Sequence, residues 1–401
     1  MAIVILLSST LMDTLFVHLR AAHNPYIRMK LYIISGEASG DLHGSNLIKA
    51  LKTKEEDLDI HCWGGELMED AGATLVKHYR ELAFMGFAEV IANLGTILKN
   101  IKFCKKDIEE FAPDALVLID YPGFNMRIAE WAHERGIKVF YYISPQIWAW
   151  KQSRVHKIKR TVDRMHVILP FEKPFYDKFD YDVEFVGHPL LDEIVGDTAS
   201  NADSELAFRK EFDLGDRPLI TLAPGSRKQE ISRMLPVMNE VAKRFPDYQF
   251  VIAGAPSQHL EFYKEFADSD MKIIHGRTYD LFQHSVAGLV TSGTATLEAA
   301  LFRLPQVVCY KAGWISYWIA RQLVKLKYIS LVNLIMDQQI VTELIQHDMN
   351  ADRVSSELEL ILSENVQTKM KQDYDKLHTL LGGPGASERT AASMLKILHS
   401  N

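Results

Sequence analysis

Cysteine is scarce in this chain. Its 401 residues include three, Cys62, Cys104 and Cys309, far apart from one another. That count and spacing supply neither a disulfide framework nor a metal-ligand pattern, so inert thiols in a reducing compartment are expected. Basic charge is not in excess either: the formal net charge of -7 argues against a protein wrapped in nucleic acid. A spanning helix needs about 20 mostly apolar residues. Between Met1 and Arg28 the apolar stretches Ile3–Leu7 and Leu11–Leu19 are broken by Ser8, Ser9, Thr10 and Asp13, and the basic start of a secretory signal is missing. Met29 stands directly before the first clear strand, so residues 1–28 are expected to be a dispensable extension. Internal repeats and low-complexity stretches are absent as well.

What remains is a chain with 47% hydrophobic residues and scattered charge, long enough for two domains with separate cores. Lys30–Ile34 is a β-branched and aromatic run that ends in Ser35-Gly36-Glu37-Ala38-Ser39-Gly40-Asp41, after which Leu42, Leu47, Ile48 and Leu51 recur at helical spacing. The glycines let backbone approach a ligand at the head of a sheet, but the loop is not the dinucleotide G-x-G-x-x-G pattern. Glu37 and Asp41 suit sugar hydroxyls, or an orienting role, better than a bare phosphate, although a helix N-cap is the plainer reading of Asp41. Ala115–Ile119 is an unbroken apolar strand that delivers Asp120 at its carboxyl end, where ligands of open parallel sheets sit. Asp120 is therefore a candidate general base, with capping as the alternative. Lys138–Ile143, Val167–Leu169 and Val183–Val186 read as further strands. Trp148 and Trp150 precede a basic run from Lys151 to Arg160 that suits a lipid headgroup or a solvated helix face.

The theme repeats after a polar, acidic segment at 191–217 with the composition of a link. Pro218–Leu222 runs into Ala223-Pro224-Gly225-Ser226-Arg227 and then a helix, which places a guanidinium suited to a diphosphate near a helix start. Phe250–Ala253 and Lys272–Ile274 are the next strands. Gly288 to Phe302 follows, with an apolar run, the small residues Ser292, Gly293, Thr294, Ala295 and Thr296, and a helix carrying Glu298 one turn in. Free amides at such a start attract an anion, and Glu298 can accept hydrogen bonds from a diol; a well-packed α/β helix is the plainer reading. Val307–Tyr310 is a further strand, and charged helices are expected from Val341 to the end. Between Glu81 and Lys102, the residues Phe84, Met85, Phe87, Val90, Ile91, Leu94, Ile97, Leu98 and Ile101 exceed one core-facing stripe, as either a buried helix pair or an apolar docking surface requires.

Ser35–Asp41, Pro145–Trp150, Leu169-Pro170-Phe171-Glu172, Gly187-His188-Pro189, Pro224–Arg227 and Ser292–Glu298, in that order and spacing, resemble the lipid-A-disaccharide synthases from Lys30 to the carboxyl terminus. The resemblance implies an α/β GT-B fold, two Rossmann-like domains with parallel sheets facing a cleft, followed by C-terminal helices. Residues 29–190 would form the acceptor domain, 191–217 the linker, 218–370 the UDP-sugar domain and 371–401 the closing helices. The implied activity transfers 2,3-diacylglucosamine from its UDP carrier to lipid X (2,3-diacylglucosamine 1-phosphate). The product is the β-1,6-linked lipid A disaccharide 1-phosphate, with inversion and without metal or other cofactor.

By the same resemblance Asp120 is the base. Gly225, Ser226, Arg227, Ser292, Gly293, Thr294, Ala295, Thr296, Glu298 and Asn333 bind the donor; Glu37, Ser39, Gly40, Asp41 and Trp148 bind the acceptor. Phe84, Met85, Phe87, Ile91, Leu94 and Leu98 face lipid. Gly123 stands where the family often has a second aspartate, and Val332 where proline is common, so no role for a second acid carries over. A cytoplasmic enzyme peripheral to the inner membrane of Gram-negative bacteria is implied. The apolar tail helices permit a homodimer by exchange of C-terminal segments. Competing readings are the UDP-N-acetylglucosamine transferase of peptidoglycan precursor synthesis, which would carry a more glycine-rich first loop, a UDP-sugar 2-epimerase acting on unacylated substrate, and a noncatalytic UDP-sugar-binding regulator.

Overall fold

The computed structural model describes residues 28–82, 94–194, 202–311, 313 and 327–400. Two parallel sheets organise them. The first contains β1 (Met29–Ile34), β2 (Leu58–Gly64), β3 (Thr74–His78), β4 (Ala115–Ile119), β5 (Lys138–Tyr142), β6 (Arg164–Val167) and β7 (Glu184–Phe185), in the order β3-β2-β1-β4-β5-β6-β7. The second contains β8 (Leu219–Ala223), β9 (Gln249–Gly254), β10 (Lys272–His275), β11 (Ser285–Thr291), β12 (Gln306–Tyr310) and β13 (Thr342–Ile345), in the order β10-β9-β8-β11-β12-β13. Renumbered within its own half, the second order is the doubly wound 3-2-1-4-5-6, and the first is the same with β7 added. Strands β4 and β8, Ala-Leu-Val-Leu-Ile and Leu-Ile-Thr-Leu-Ala, are buried at every position, as central strands covered by helices on both faces must be.

Several elements differ from the sequence expectation. Strands β2 and β3 carry Asp59, His61, Lys77 and His78 among their apolar residues and give no continuous hydrophobic run, so the periodicity there is weak. Thr342–Ile345 is the edge strand β13, paired with β12 through Val307–Tyr310, although it sits in a stretch expected to be helical. The helix Ala202–Glu211 lies in the segment read as a link, yet it buries Phe208 in the core of the second sheet. The final helices separate at Gly382, Gly383 and Gly385, whose φ values of 85°, 71° and 96° are left-handed and so favour glycine. Glu364–Leu380 stays with the second half, burying Met370, Tyr374 and Leu377. Ala386–His399 returns to pack on the helix Ala38–Lys54 of the first.

That return is capped and clamped. Asp192 accepts from the amides of Gly385, Ala386 and Ser387 at 2.5, 3.2 and 3.1 Å, a carboxylate at a helix N-terminus. Arg389 donates to the carbonyls of Val186, Pro384 and Gly383, and the His188 amide donates to the Leu381 carbonyl at 3.0 Å. A side chain at Gly187 (φ 85°) would strike Arg389, so Gly187-His188-Pro189 is the joint that seats the C-terminal segment.

Candidate functional site

In a doubly wound sheet the crevice lies beyond the carboxyl ends of the strands where the order reverses. For the first sheet that is between β1 and β4, and for the second between β8 and β11. The four turns there are Ser35–Asp41, Asp120–Tyr121, Pro224–Arg227 and Ser292–Thr294.

Asp120 and Tyr121 both adopt left-handed backbone, φ 43° and 47°, in the turn before the helix Pro122–His133. Such non-glycine residues cost roughly 1–2 kcal/mol each and persist only where their surroundings hold them. Here the Asp120 carbonyl accepts from Asn125 Nδ2 at 2.8 Å and from Tyr141 Oη at 2.5 Å, while Asn125 also donates to the Ile119 carbonyl at 3.2 Å. The clamp uses the backbone and leaves the half-buried carboxylate of Asp120 facing Glu37. Burial, then the Glu37 charge, pushes the Asp120 carboxyl up to about 6. Partial desolvation also raises Glu37, although its side chain stays exposed, and the Arg227 guanidinium partly offsets that rise, so Glu37 lies within electrostatic reach of a cation on the second half.

The first loop is built otherwise than its glycines suggest. A Cβ at Gly36 would overlap the Tyr121 ring, and one at Gly40 would meet Ser35, so both glycines serve packing rather than approach of a ligand. Glu37 is exposed and makes no capping bond, and Ser39 is exposed in the first turn of the helix that follows it. Asp41 is a correction: it is 2% exposed, and its carboxylate accepts from the amides of Gly65, Leu67 and Met68 at 2.7, 3.3 and 3.1 Å. It caps the helix Glu66–Asp70, a different helix from its own, and has no capacity aimed at an acceptor sugar. Trp148 is half-buried, edge-on to Phe171 with ring centroids 4.8 Å apart.

On the second half, Arg227 is exposed and bonds Glu230 Oε1 at 3.2 Å. Gly225 has φ 106°, and a Cβ there would meet Glu230 Oε2 at 2.5 Å, so this turn wraps around Glu230. The Ser226 carbonyl is held by Gln258 Nε2 at 2.9 Å. Glu230 and Tyr310, whose hydroxyl is raised by burial and then by Glu230, are neighbours of Arg227 that motif reading did not single out. Across the switch, Ser292 Oγ donates to the Ile329 carbonyl at 3.0 Å, and Thr296 is buried with Oγ1 donating to the Gly293 carbonyl at 2.8 Å. Gly293 has φ 135°, and a Cβ there would find no atom within 4 Å, so space lies open beside it. The amides of Thr294 and Ala295, in the first turn of the helix Thr294–Leu301, have no carbonyl one turn earlier. Glu298 is half-buried, has no partner among the described residues, and desolvation alone pushes its carboxyl up to about 7.

Asn333 is the second correction. It is fully buried, its Nδ2 donates to the Val341 carbonyl at 2.8 Å and Glu343 at 2.9 Å, and its Oδ1 accepts from Ile340 and Val341 amides at 2.7 and 3.0 Å. Every hydrogen-bonding group of its side chain is spent on Ile340 and Val341, which lead into β13, and on Glu343 within it, which leaves none for a nucleotide. Phe84, Met85, Phe87 and Ile91 lie outside the described residues, as does the side chain of Leu94; Leu98 is 55% exposed on the helix Leu94–Phe111.

Two doubly wound sheets, with acids at one switch point and a guanidinium and helix start at the other, define a GT-B protein. Solved structures agree on the fold. The UDP-GlcNAc 2-epimerase from Neisseria meningitidis bound to UDP-GlcNAc is similar with a TM-score of 0.64 at 15% identity, covering 92% of this chain and 100% of that one. The glycotransferase of kitacinnamycin has a TM-score of 0.60 at 14% identity, covering 92% and 99%.

Sequence comparison narrows the class. Residues 31–397 match the lipid-A-disaccharide synthetase family. The lipid-A-disaccharide synthase of Geobacter metallireducens is 40% identical over 377 residues, 92% of this chain and 97% of that one. The one of Syntrophus aciditrophicus is 40% identical over 375 residues, 91% and 97%. The chain belongs to the lipid-A-disaccharide synthase family, glycosyltransferases of lipid A biosynthesis.

Proposed function

We propose that the protein transfers 2,3-diacylglucosamine from UDP-2,3-diacylglucosamine to the 6-hydroxyl of lipid X, giving the β-1,6 disaccharide 1-phosphate and UDP. The observation that carries this reading is the carboxylate of Asp120, held at the first switch point within the electrostatic neighbourhood that Glu37 shares with Arg227. With its pKa pushed up to about 6, Asp120 is ionised at neutral pH yet basic enough to take a hydroxyl proton. The acceptor oxygen then attacks the anomeric carbon as that carbon's bond to UDP breaks, and the electron pair leaves with the diphosphate. Attack opposite the leaving group inverts the centre. Arg227 and the amides of Thr294 and Ala295 meet the departing charge, the part a divalent ion plays elsewhere, so we expect turnover to survive chelators. Glu298, one turn into the same helix and without a partner among the described residues, suits the ribose diol.

Acylated substrates call for a surface at the membrane. Among the described residues no helix is long and apolar enough to cross one. Leu98 and Phe103, 55% and 46% exposed on one helix, stand among exposed Lys99, Lys102 and Lys106, and this supports peripheral contact with an anionic inner-membrane leaflet from the cytoplasmic side. The function is tested by incubating the protein with UDP-2,3-diacylglucosamine and lipid X and following UDP and disaccharide together. Disaccharide formed in step with UDP supports it; UDP-sugar consumed without disaccharide refutes it.

A further inference from the structure

Most charges of the basic run after β5 are already engaged. Lys157 and Arg160 pair with Glu130 at 2.8 and 3.5 Å, and Lys159 donates to the Phe179 carbonyl at 3.0 Å. Arg164 reaches Asp182 at 3.0 Å and Glu184 at 3.3 Å. Lys151 and Arg154 differ. Their side chains have no acid and no hydrogen-bond acceptor among the described residues, and both lie over the ring of Trp150, 5.7 and 4.9 Å from its centroid. Trp150 is itself 48% exposed. A guanidinium stacked on an indole is held by its flat face and keeps its N–H edge free for an anion.

Their position matters as much as their freedom. Ile119 of β4 is in register with Tyr142 of β5, so the carboxyl ends of these strands, from which Asp120 and the Trp150 turn emerge, lie side by side. Tyr141 donates to the Asp120 carbonyl at 2.5 Å, and the charge of Arg154 is felt at the same phenol. The neighbouring carboxyl ends of β4 and β5 thus lead, one into the proposed base, the other into the segment that carries a guanidinium without an acceptor among the described residues.

We infer that Arg154, braced with Lys151 on Trp150, is the subsite for the phosphate of the acceptor sugar. This rests on the transferase reading above and adds to it what recognises the acceptor. In a pyranose the carbon that bears the exocyclic CH2OH and the anomeric carbon are separated only by the ring oxygen, so when that hydroxyl meets Asp120 the anomeric phosphate lies near it and needs a cation beside the base and not upon it. Arg227 is assigned to the donor and cannot serve both. The subsite therefore discriminates between acceptors with and without the phosphomonoester, while binding of the nucleotide is independent of it.

The test compares wild type with R154A, R154Q and R154K on the phosphorylated acceptor and on the same diacylglucosamine lacking its phosphate. R154Q keeps a planar group on the indole without the charge, which guards against a fold defect in R154A. On the phosphorylated acceptor, R154A and R154Q should raise KM by about 10- to 100-fold with UDP affinity unchanged, and R154K should recover part of the loss. On the unphosphorylated acceptor the variants should match wild type. An equal penalty on both acceptors, or none on either, overturns the subsite. Flotation with phosphatidylglycerol vesicles separates the other source of phosphate: loss of vesicle binding with an unchanged acceptor KM also overturns it. Absence of any disaccharide from the wild-type enzyme would refute the transferase reading instead, and the subsite with it.

Discussion

Asp120→Asn should slow the enzyme and stabilise the protein, and the second effect should depend on pH. The Asp120 carboxyl is pushed from its ordinary 3.8 to about 6, by burial first and by Glu37 second. A group whose folded value is raised holds its proton more tightly in the native state. Its contribution is favourable below the unfolded value and is lost as pH rises through the folded one. At neutral pH the wild type therefore carries a buried charge that the unfolded chain would rather have. Two units at about 1.36 kcal/mol each set a ceiling near 3 kcal/mol, and partial solvent access should reduce this to about 1–2 kcal/mol. Asparagine has nearly the same shape and tolerates the left-handed backbone that φ 43° requires, while the carbonyl bonds from Asn125 and Tyr141 are untouched. The variant should unfold at higher urea than wild type at pH 7.5, and the gap should close near pH 4. Turnover at pH 7.5 should fall by about 10²- to 10⁴-fold, the usual size of a lost general base. A stability gain equal at both pH values, or full turnover in the variant, would refute the assignment of Asp120 as a crowded carboxylate base.

Glu37→Gln removes the neighbouring charge but not the burial, so the acid limb of kcat/KM against pH should move down by about half a unit to one unit, and an unmoved limb would mean that the two acids are not coupled. Arg227→Ala should weaken UDP binding about 10- to 100-fold by calorimetry. Its thermal midpoint should barely change, because the one hydrogen-bonded pair lost among the described residues is the exposed contact with Glu230. Asp41→Ala strands three amides and should cost about 2–4 kcal/mol in urea unfolding with acceptor KM unchanged; a KM effect without destabilisation would return Asp41 to the acceptor site.

Largely apolar runs followed by small residues mark the central strands β4 and β8, because a strand buried on both faces admits a polar residue only where, as at Thr221, its hydroxyl finds a partner. The positions of Asp120 after Ala115–Ile119 and of Arg227 after Leu219–Ala223, beyond the carboxyl ends of central strands, are legible for that reason. Asp41 and Asn333 were misread for a different one. Local sequence shows what a side chain can bond to, whereas its actual partners come from elsewhere: residues 65–68 for Asp41 and the strand after the loop for Asn333. Glu298 looked no different from Asn333 on that basis, a polar residue near the start of a helix. What separates them is that the fold supplies four partner contacts to Asn333 and none, among the described residues, to Glu298. The same accounting separates Arg154 from Arg160 within one basic run: Arg160 shares Glu130 with Lys157, whereas Arg154 has no acid among the described residues. A titratable side chain held by packing but left without a partner among the described residues carries an interaction that the fold does not use, and this is why we expect substrate groups at Glu298 and Arg154 rather than at Asn333 and Arg160.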